Sequence, residues 1–346
     1  MSEQKNDMVI DMKRDFYFDN AKFILICLVV FGHFIQPFIH DHKLISTIYQ
    51  FVYSFHMPAF ILIAGYFAKG IKEDGYIMKI TKKLLLPYLI FQSIYSIYYY
   101  FLYSGNELYI QPFNPHWSLW FLISLFCWNL LLYVFSKIHP FVAISIAILM
   151  GIAIGYFPFV GNFLSISRTF VFLPLFLLGY FAKKKHFIYL KQPATMIVSA
   201  ICLIIIFAIY YLNPEINTGW LLGSKAYAAL DMVQIGGMIR LCFYCVSILS
   251  TFSFLSIIPK SKYFFTKWGT RTLYVYLLHG FAIKYFRNSE WLEVVKESAD
   301  FIFISLASLG LTLLLSSNLI KAISQPLIEL RMTFLKKSVY SMFNTK

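Results

Sequence analysis

Apolar runs of about 20 residues recur from one end of this chain to the other, and each is close to what a helix needs to cross a ~30 Å hydrocarbon core. Lipid is therefore the medium the chain must fold in. There, only a helix satisfies its own backbone polar groups one segment at a time. A β-barrel would show short strands of alternating polarity, whereas runs such as 144–154 and 201–209 are apolar on every side. The composition agrees: 59% of the 346 residues are hydrophobic and only 13% charged, and the mean hydropathy is +0.68, outside the soluble range. The expected fold is all-α, a polytopic membrane helix bundle of about ten transmembrane helices at 18–39, 45–68, 84–103, 117–135, 141–157, 169–182, 195–212, 236–258, 272–286 and 301–320. The sixth and ninth are the short ones. Residues 1–17 and 321–346 are expected as cytoplasmic N-terminal and C-terminal segments flanking the 18–320 transmembrane domain, and the first helix is expected to be retained, since no small-residue cleavage site follows it.

The cations decide orientation. With a cytoplasmic N-terminus, 22 of the 30 Lys and Arg fall on one side of these spans, in clusters such as Lys69–Lys83, Lys183–Lys191 and Lys260–Arg271. The opposite side holds only Lys43, Arg168, Lys225, Lys284, Arg287 and Lys296. That asymmetry fits the positive-inside rule with both termini cytoplasmic, which requires an even helix count. It also disposes of nucleic acid as the partner behind a net charge of +14: the basic residues are scattered over many short loops, where they set topology and meet anionic headgroups of membrane lipid. No P-loop or dinucleotide-binding glycine pattern occurs. The five cysteines all lie in apolar runs as small hydrophobes, and the Cys242/Cys245 pair has no companion metal ligands.

A charged group within a span costs a few kcal/mol or more, so such groups point to cavities and partners. The first span carries Asp19, Lys22 and His33. At 100° per residue Lys22 and His33 fall within about 20° of one line, with roughly 16 Å of rise between them, and Asp19 lies one turn before Lys22. For Lys22 and Asp19 two readings stand: an interfacial ion pair with the lysine snorkelling, or a functional pair. His33 is different, because imidazole exchanges protons near neutral pH, as a general base must. His56, beside Pro58, is either structural or faces a space left by a break in the helix. His279 lies within the ninth span, Arg168 precedes the sixth, and Arg240 is expected to pair with Asp231. In 79–88 (KITKKLLLPY), Lys79, Lys82 and Lys83 are either an orientation signal or a landing surface for a phosphate-bearing cofactor.

The stretch 19–33 (DNAKFILICLVVFGH) resembles the opening of the bacterial acyltransferase-3 family of integral membrane enzymes, in particular its fucose-4-O-acetylase-like branch. Further blocks follow in the family's order: 55–67 (FHMPAFILIAGYF), 79–88, 119–126 (LWFLISLF), 168–181 (RTFVFLPLFLLGYF) and 269–279 (GTRTLYVYLLH). Where the family carries an arginine with ten residues between it and the first-helix histidine, this chain has Lys22, which keeps the charge and loses the planar bidentate fork.

The resemblance implies transfer of an acyl group, most often acetyl from acetyl-CoA, to a hydroxyl of a cell-envelope or exported saccharide by a multi-pass protein of the cell membrane. His33 is then the expected base or acyl relay. Lys22 holds donor phosphate or stabilises an oxyanion, with Asp19 fixing it. His56, Arg168 and His279 are candidates without an assigned role, and Lys79, Lys82 and Lys83 attract the nucleotide end of the acyl-CoA donor. No zinc signature or G-x-S-x-G elbow is present, so no metal is expected. A transporter or exporter of a free or lipid-linked saccharide is the alternative, although no matching pair of interrupted helices marks two halves of the chain.

Overall fold

The computed structural model describes residues 15–105, 107–161, 163–290 and 300–331. Among these residues no strand occurs, and the principal helices are α1 (Phe16–Ile35), α2 (Lys43–Phe67), α3 (Leu86–Leu102), α4 (Trp120–Phe135), α5 (Pro140–Ala153), α6 (Ile166–Phe181), α7 (Pro193–Leu212), α8 (Gly236–Ile257), α9 (Thr272–Arg287), α10 (Asp300–Leu315) and α11 (Asn318–Glu329). A short helix, Tyr76–Ile80, and a π-helical turn, Thr81–Leu85, lead into α3.

Five helical segments are long and apolar enough to cross a membrane: Phe16–Phe38, Lys43–Phe67, Phe163–Phe181, Pro193–Leu212 and Gly236–Ile257. The bent pair α10–α11 makes a sixth if counted as one span. The expected sixth span thus gains length, because a 3₁₀ turn at Phe163–Ser165 extends α6. The ninth stays short, with 16 residues in α9, and α5 has only 14 before a 3₁₀ turn at Ile154–Tyr156.

The last expected span, 301–320, does not form as one helix. α10 stops at Leu315, and α11 leaves at 65°. Arg271 holds this break from outside, donating to the Ser316 carbonyl at 2.6 Å and to Asn318 Oδ1 at 2.5 Å, while Ser317 caps α11 by accepting from Ile320 N. Part of the stretch expected as a C-terminal tail is accordingly helix, packed against α3 and α9. Of the cations that bear on orientation, Lys5, Lys13, Arg14, Lys296, Lys336, Lys337 and Lys346 fall outside the described residues.

α2 is the hub, packed against α1, α6, α7 and α8. Its crossing with α6 is a backbone contact: a Cβ on Gly65 would lie 2.0 Å from the Phe176 carbonyl oxygen, and one on Gly179 1.9 Å from that of Leu62. Small residues permit this approach between helices in lipid, where packing replaces the hydrophobic effect as the driving force. Pro58 lies within α2 without breaking it. A proline has no N–H, so the Ser54 carbonyl four residues back loses its helical partner, and Ser250 of α8 donates to that oxygen at 3.2 Å. His56 therefore faces its surroundings from an unbroken helix.

Candidate active site

A cavity of about 310 Å³ runs along one face of α1, which contributes Lys22, Ile26, Val29, His33 and Gln36. Spacings of four, three, four and three residues are those of a single helical stripe. The two ends of this cavity differ from its middle. Lys22 stands at one end, its Nζ 2.8 Å from Asp19 Oδ1, with Asp19 almost fully buried. The middle is apolar, walled by residues such as Phe60, Ala64, Phe121 and Leu125. At the other end Gln36, Tyr53, His56, Trp117 and Arg168 gather round His33.

Local chemistry fixes each part. At the Lys22 end, Asn20 is fully buried and donates to the carbonyls of Pro259 and Ser261, both at 2.9 Å, while accepting from Thr266 Oγ1 at 2.6 Å. That ties the loop before α9 to the start of α1. Gly269 allows the same loop to touch the Asp19 backbone, where a Cβ would lie 1.9 Å from the Asp19 oxygen.

At the His33 end α1 gives way at Pro37, which leaves the His33 carbonyl without its helical donor. The Arg287 guanidinium supplies one, and it also donates to Gln36 Oε1 at 2.8 Å. His33 Nδ1 lies 3.4 Å from the Tyr53 hydroxyl. Its ring centroid is 4.3 Å from that of Trp117 and 5.5 Å from that of His279. Arg287 and Lys284 both lie over the Trp117 ring, at 5.5 and 5.3 Å.

Trp117 has φ of 37°, a left-handed conformation that a bulky residue adopts only when its surroundings impose it. The imposing groups lie one turn apart on α3: Tyr88 donates to the Pro112 carbonyl at 2.6 Å, Gln92 to the carbonyls of Gln111 and Asn114 at 2.8 and 2.9 Å, and Ser96 Oγ is 2.8 Å from His116 Nε2. Burial, with Lys284 nearby, pushes the His116 imidazole below its usual pKa, so it is neutral at pH 7.

Arg168 is brought to the cavity from α6. Its Nε donates to the Leu222 carbonyl at 3.2 Å, and its Cζ lies 4.9 Å from the Trp120 ring centroid. His56 has Nδ1 2.9 Å from the Val52 carbonyl, so Nδ1 carries the proton. His279 repeats this with Val275 at 3.0 Å, and its buried Nε2 has no hydrogen-bond partner.

Of the residues singled out in the sequence, Lys22, His33, His56 and Arg168 line this one cavity; Asp19 and His279 touch its members from behind. Lys79, Lys82 and Lys83 do not line it; they are exposed around the π-helical turn, with Lys79 3.8 Å from Glu73. Arg240 is buried but does not pair with Asp231. It donates to the Trp220 carbonyl at 2.7 Å, beneath the Trp220 ring. Sequence reasoning passed over Tyr53, Trp117 and Gln36 and counted Arg287 only as an outer cation. The Pro37 four residues after His33 was the available signal for Arg287, since it implies an orphan carbonyl. Among the described residues no group of three His, Cys, Asp or Glu is disposed to hold a metal ion.

A lysine, a histidine and an arginine thus line one mostly apolar cavity of a helix bundle. The chain belongs to the acyltransferase-3 family, whose model, described as an acyltransferase domain, matches residues 15–317. Among curated proteins it is similar to nodulation protein NolL of Sinorhizobium fredii (strain NBRC 101917 / NGR234), 29% identical over 154 residues that make up 40% of this chain and 42% of that protein. NolL of Mesorhizobium japonicum (strain LMG 29417 / CECT 9101 / MAFF 303099) is 40% identical over 83 residues, 22% of each chain. The matched stretches thus span less than half the length of these relatives. No solved structure matches.

Proposed function

We propose that this protein is a membrane-bound O-acyltransferase that moves an acyl group, acetyl in the leading case, from acyl-CoA to a hydroxyl of a cell-envelope or exported saccharide. In this reading it sits in the cell membrane with ten crossings and both termini cytoplasmic, and it falls in the fucose-4-O-acetylase-like branch of its family. The observation that carries the reading is the cavity face of α1, with a cation at one end and a histidine among hydrogen-bonding and cationic groups at the other.

The donor enters from the Lys22 end. Lys22, steadied by Asp19, meets the phosphate-bearing part of the donor, with Lys79, Lys82 and Lys83 raising its local concentration. The apolar middle accepts the thioester arm and excludes water. At the far end His33 Nδ1 lies 3.4 Å from the Tyr53 hydroxyl; in this reading Nδ1 keeps its proton and Nε2 is the base. Nε2 takes the proton of the saccharide hydroxyl as its oxygen attacks the thioester carbonyl. The C–S bond then breaks, and the departing thiolate recovers the proton from His33. Arg168, which lines the cavity, stabilises the tetrahedral oxyanion in this reading.

In cells carrying His33→Ala at a membrane abundance equal to that of the unaltered protein, the ester-linked acyl content of envelope saccharides, read by mass, falls on the order of 10²-fold or more. Full retention of the ester removes His33 from the chemistry.

A further inference from the structure

A second cavity, of about 400 Å³, opens at the end of the bundle away from Lys22. Its volume is in the range of ligand sites, roughly 300–1,000 Å³, and its wall is largely polar: His40, Lys43, Ser46, Gln50, Glu215 and Thr218 contribute to it. We propose that it is a saccharide subsite, seating the sugar units adjacent to the one that receives the acyl group. This rests on the reading of a saccharide acceptor given above.

Three observations carry it. The first is position. The segment 214–218 walls this cavity and Leu221 and Leu222, a few residues on, wall the active one; likewise Gln36 lines the active cavity and Ile39 and His40 line this one. An acceptor whose reacting hydroxyl lies at His33 thus has its neighbouring units next to this second chamber.

The second is the kind of groups present. Sugar hydroxyls both donate and accept, and here lysine, serine and threonine donors stand among carboxylate and amide acceptors. A lipid tail would find too little apolar wall, and a lone phosphate would meet Glu215. The Lys43 ammonium also lies 4.3 Å above the Tyr211 ring, which steadies its position.

The third is Gln50, which is fully buried. Its Nε2 donates to the carbonyls of Pro214 and Ile216 at 3.1 and 3.0 Å, building the wall, while its Oε1 is buried with no hydrogen-bond partner. Gln50 thereby fixes the backbone of 214–216 in the cavity wall.

The test uses full-length protein in nanodiscs, acetyl-CoA as donor, and a de-esterified, size-fractionated oligosaccharide pool from the host envelope as acceptor. Lys43→Ala and Thr218→Val, neither of which lines the active cavity, raise the KM for the oligosaccharide pool about tenfold, with kcat and the KM for acetyl-CoA unchanged; the unchanged kcat shows that the variants are folded. If all three constants match the unaltered protein, or kcat and both KM values change together, the subsite is overturned and the acyltransferase reading stands. If the unaltered protein transfers nothing to any pool, the saccharide reading fails and takes the subsite with it.

Discussion

Charge placement at single residues separates roles that a count of cations merges. Lys69 donates to the Ala182 carbonyl at 2.8 Å, just past α6, and Lys191 donates to the carbonyls of Leu255, Ser256 and Ile258 at the end of α8. Both therefore satisfy helix C-termini as well as marking a membrane side. Lys22 is different, because it lines a cavity and its pairing with Asp19 leaves donors to spare. Lys22→Ala should raise the KM for acetyl-CoA by about 10- to 100-fold, the range for losing a charged hydrogen bond, and Lys22→Arg should restore most of it; a KM unmoved in Lys22→Ala would take the lysine out of donor binding. Arg287→Met should leave the His33 carbonyl orphaned and cost about 1–3 kcal/mol of stability, read as a lower melting temperature in detergent together with reduced transfer. The stripe from Lys22 to His33 was legible in the sequence because the helical period alone fixes it. Tyr53, Trp117 and Arg287 were not, since their approach to His33 depends on how α2, the loop before α4, and α9 pack around α1.

Helix packing sets which elements can be altered. The α2–α6 crossing admits no side chain at Gly65 or Gly179, whereas a Cβ at Gly310 of α10 would meet nothing within 4 Å. Gly179→Val should therefore destabilise the protein by about 3 kcal/mol or more, because backbone cannot move aside as a flexible side chain does. Gly310→Ala should be neutral or stabilising by up to about 1 kcal/mol. Thermal unfolding of the two variants side by side checks this, and equal losses would contradict the crossing. The same glutamine device appears on two elements: Gln92 of α3 holds the loop that presents Trp117, and Gln50 of α2 holds the loop over the outer cavity. Helical runs were readable from the length of the apolar runs, within a few residues at most ends. The break between α10 and α11 was not, because Arg271, 45 residues from Ser316 in sequence, holds it open.

For the molecule as a whole, a lipid-embedded helical protein was evident from hydropathy, while the number of crossings is a matter of length as well as composition. α4, α5 and α9 have 16, 14 and 16 residues, short of the ~20 that a full crossing takes, so by length they are not among the segments able to cross a membrane. The proposed topology puts Ser261 and Glu215 on opposite sides. In a variant without native cysteines, Glu215→Cys should react with a membrane-impermeant maleimide in intact cells and Ser261→Cys only after lysis; the reverse pattern would invert the bundle and put the Lys22 end outside.

The central claim is that His33, at the far end of a cavity that starts at Lys22, takes the proton that makes a saccharide oxygen nucleophilic. The most direct measurement follows radiolabelled acetyl from acetyl-CoA to de-esterified host envelope saccharide in nanodiscs holding the unaltered protein or His33→Ala. The account predicts base-labile label on the saccharide with the former, and with the latter normal acetyl-CoA binding and no label. Transfer by His33→Ala at the unaltered rate would contradict it.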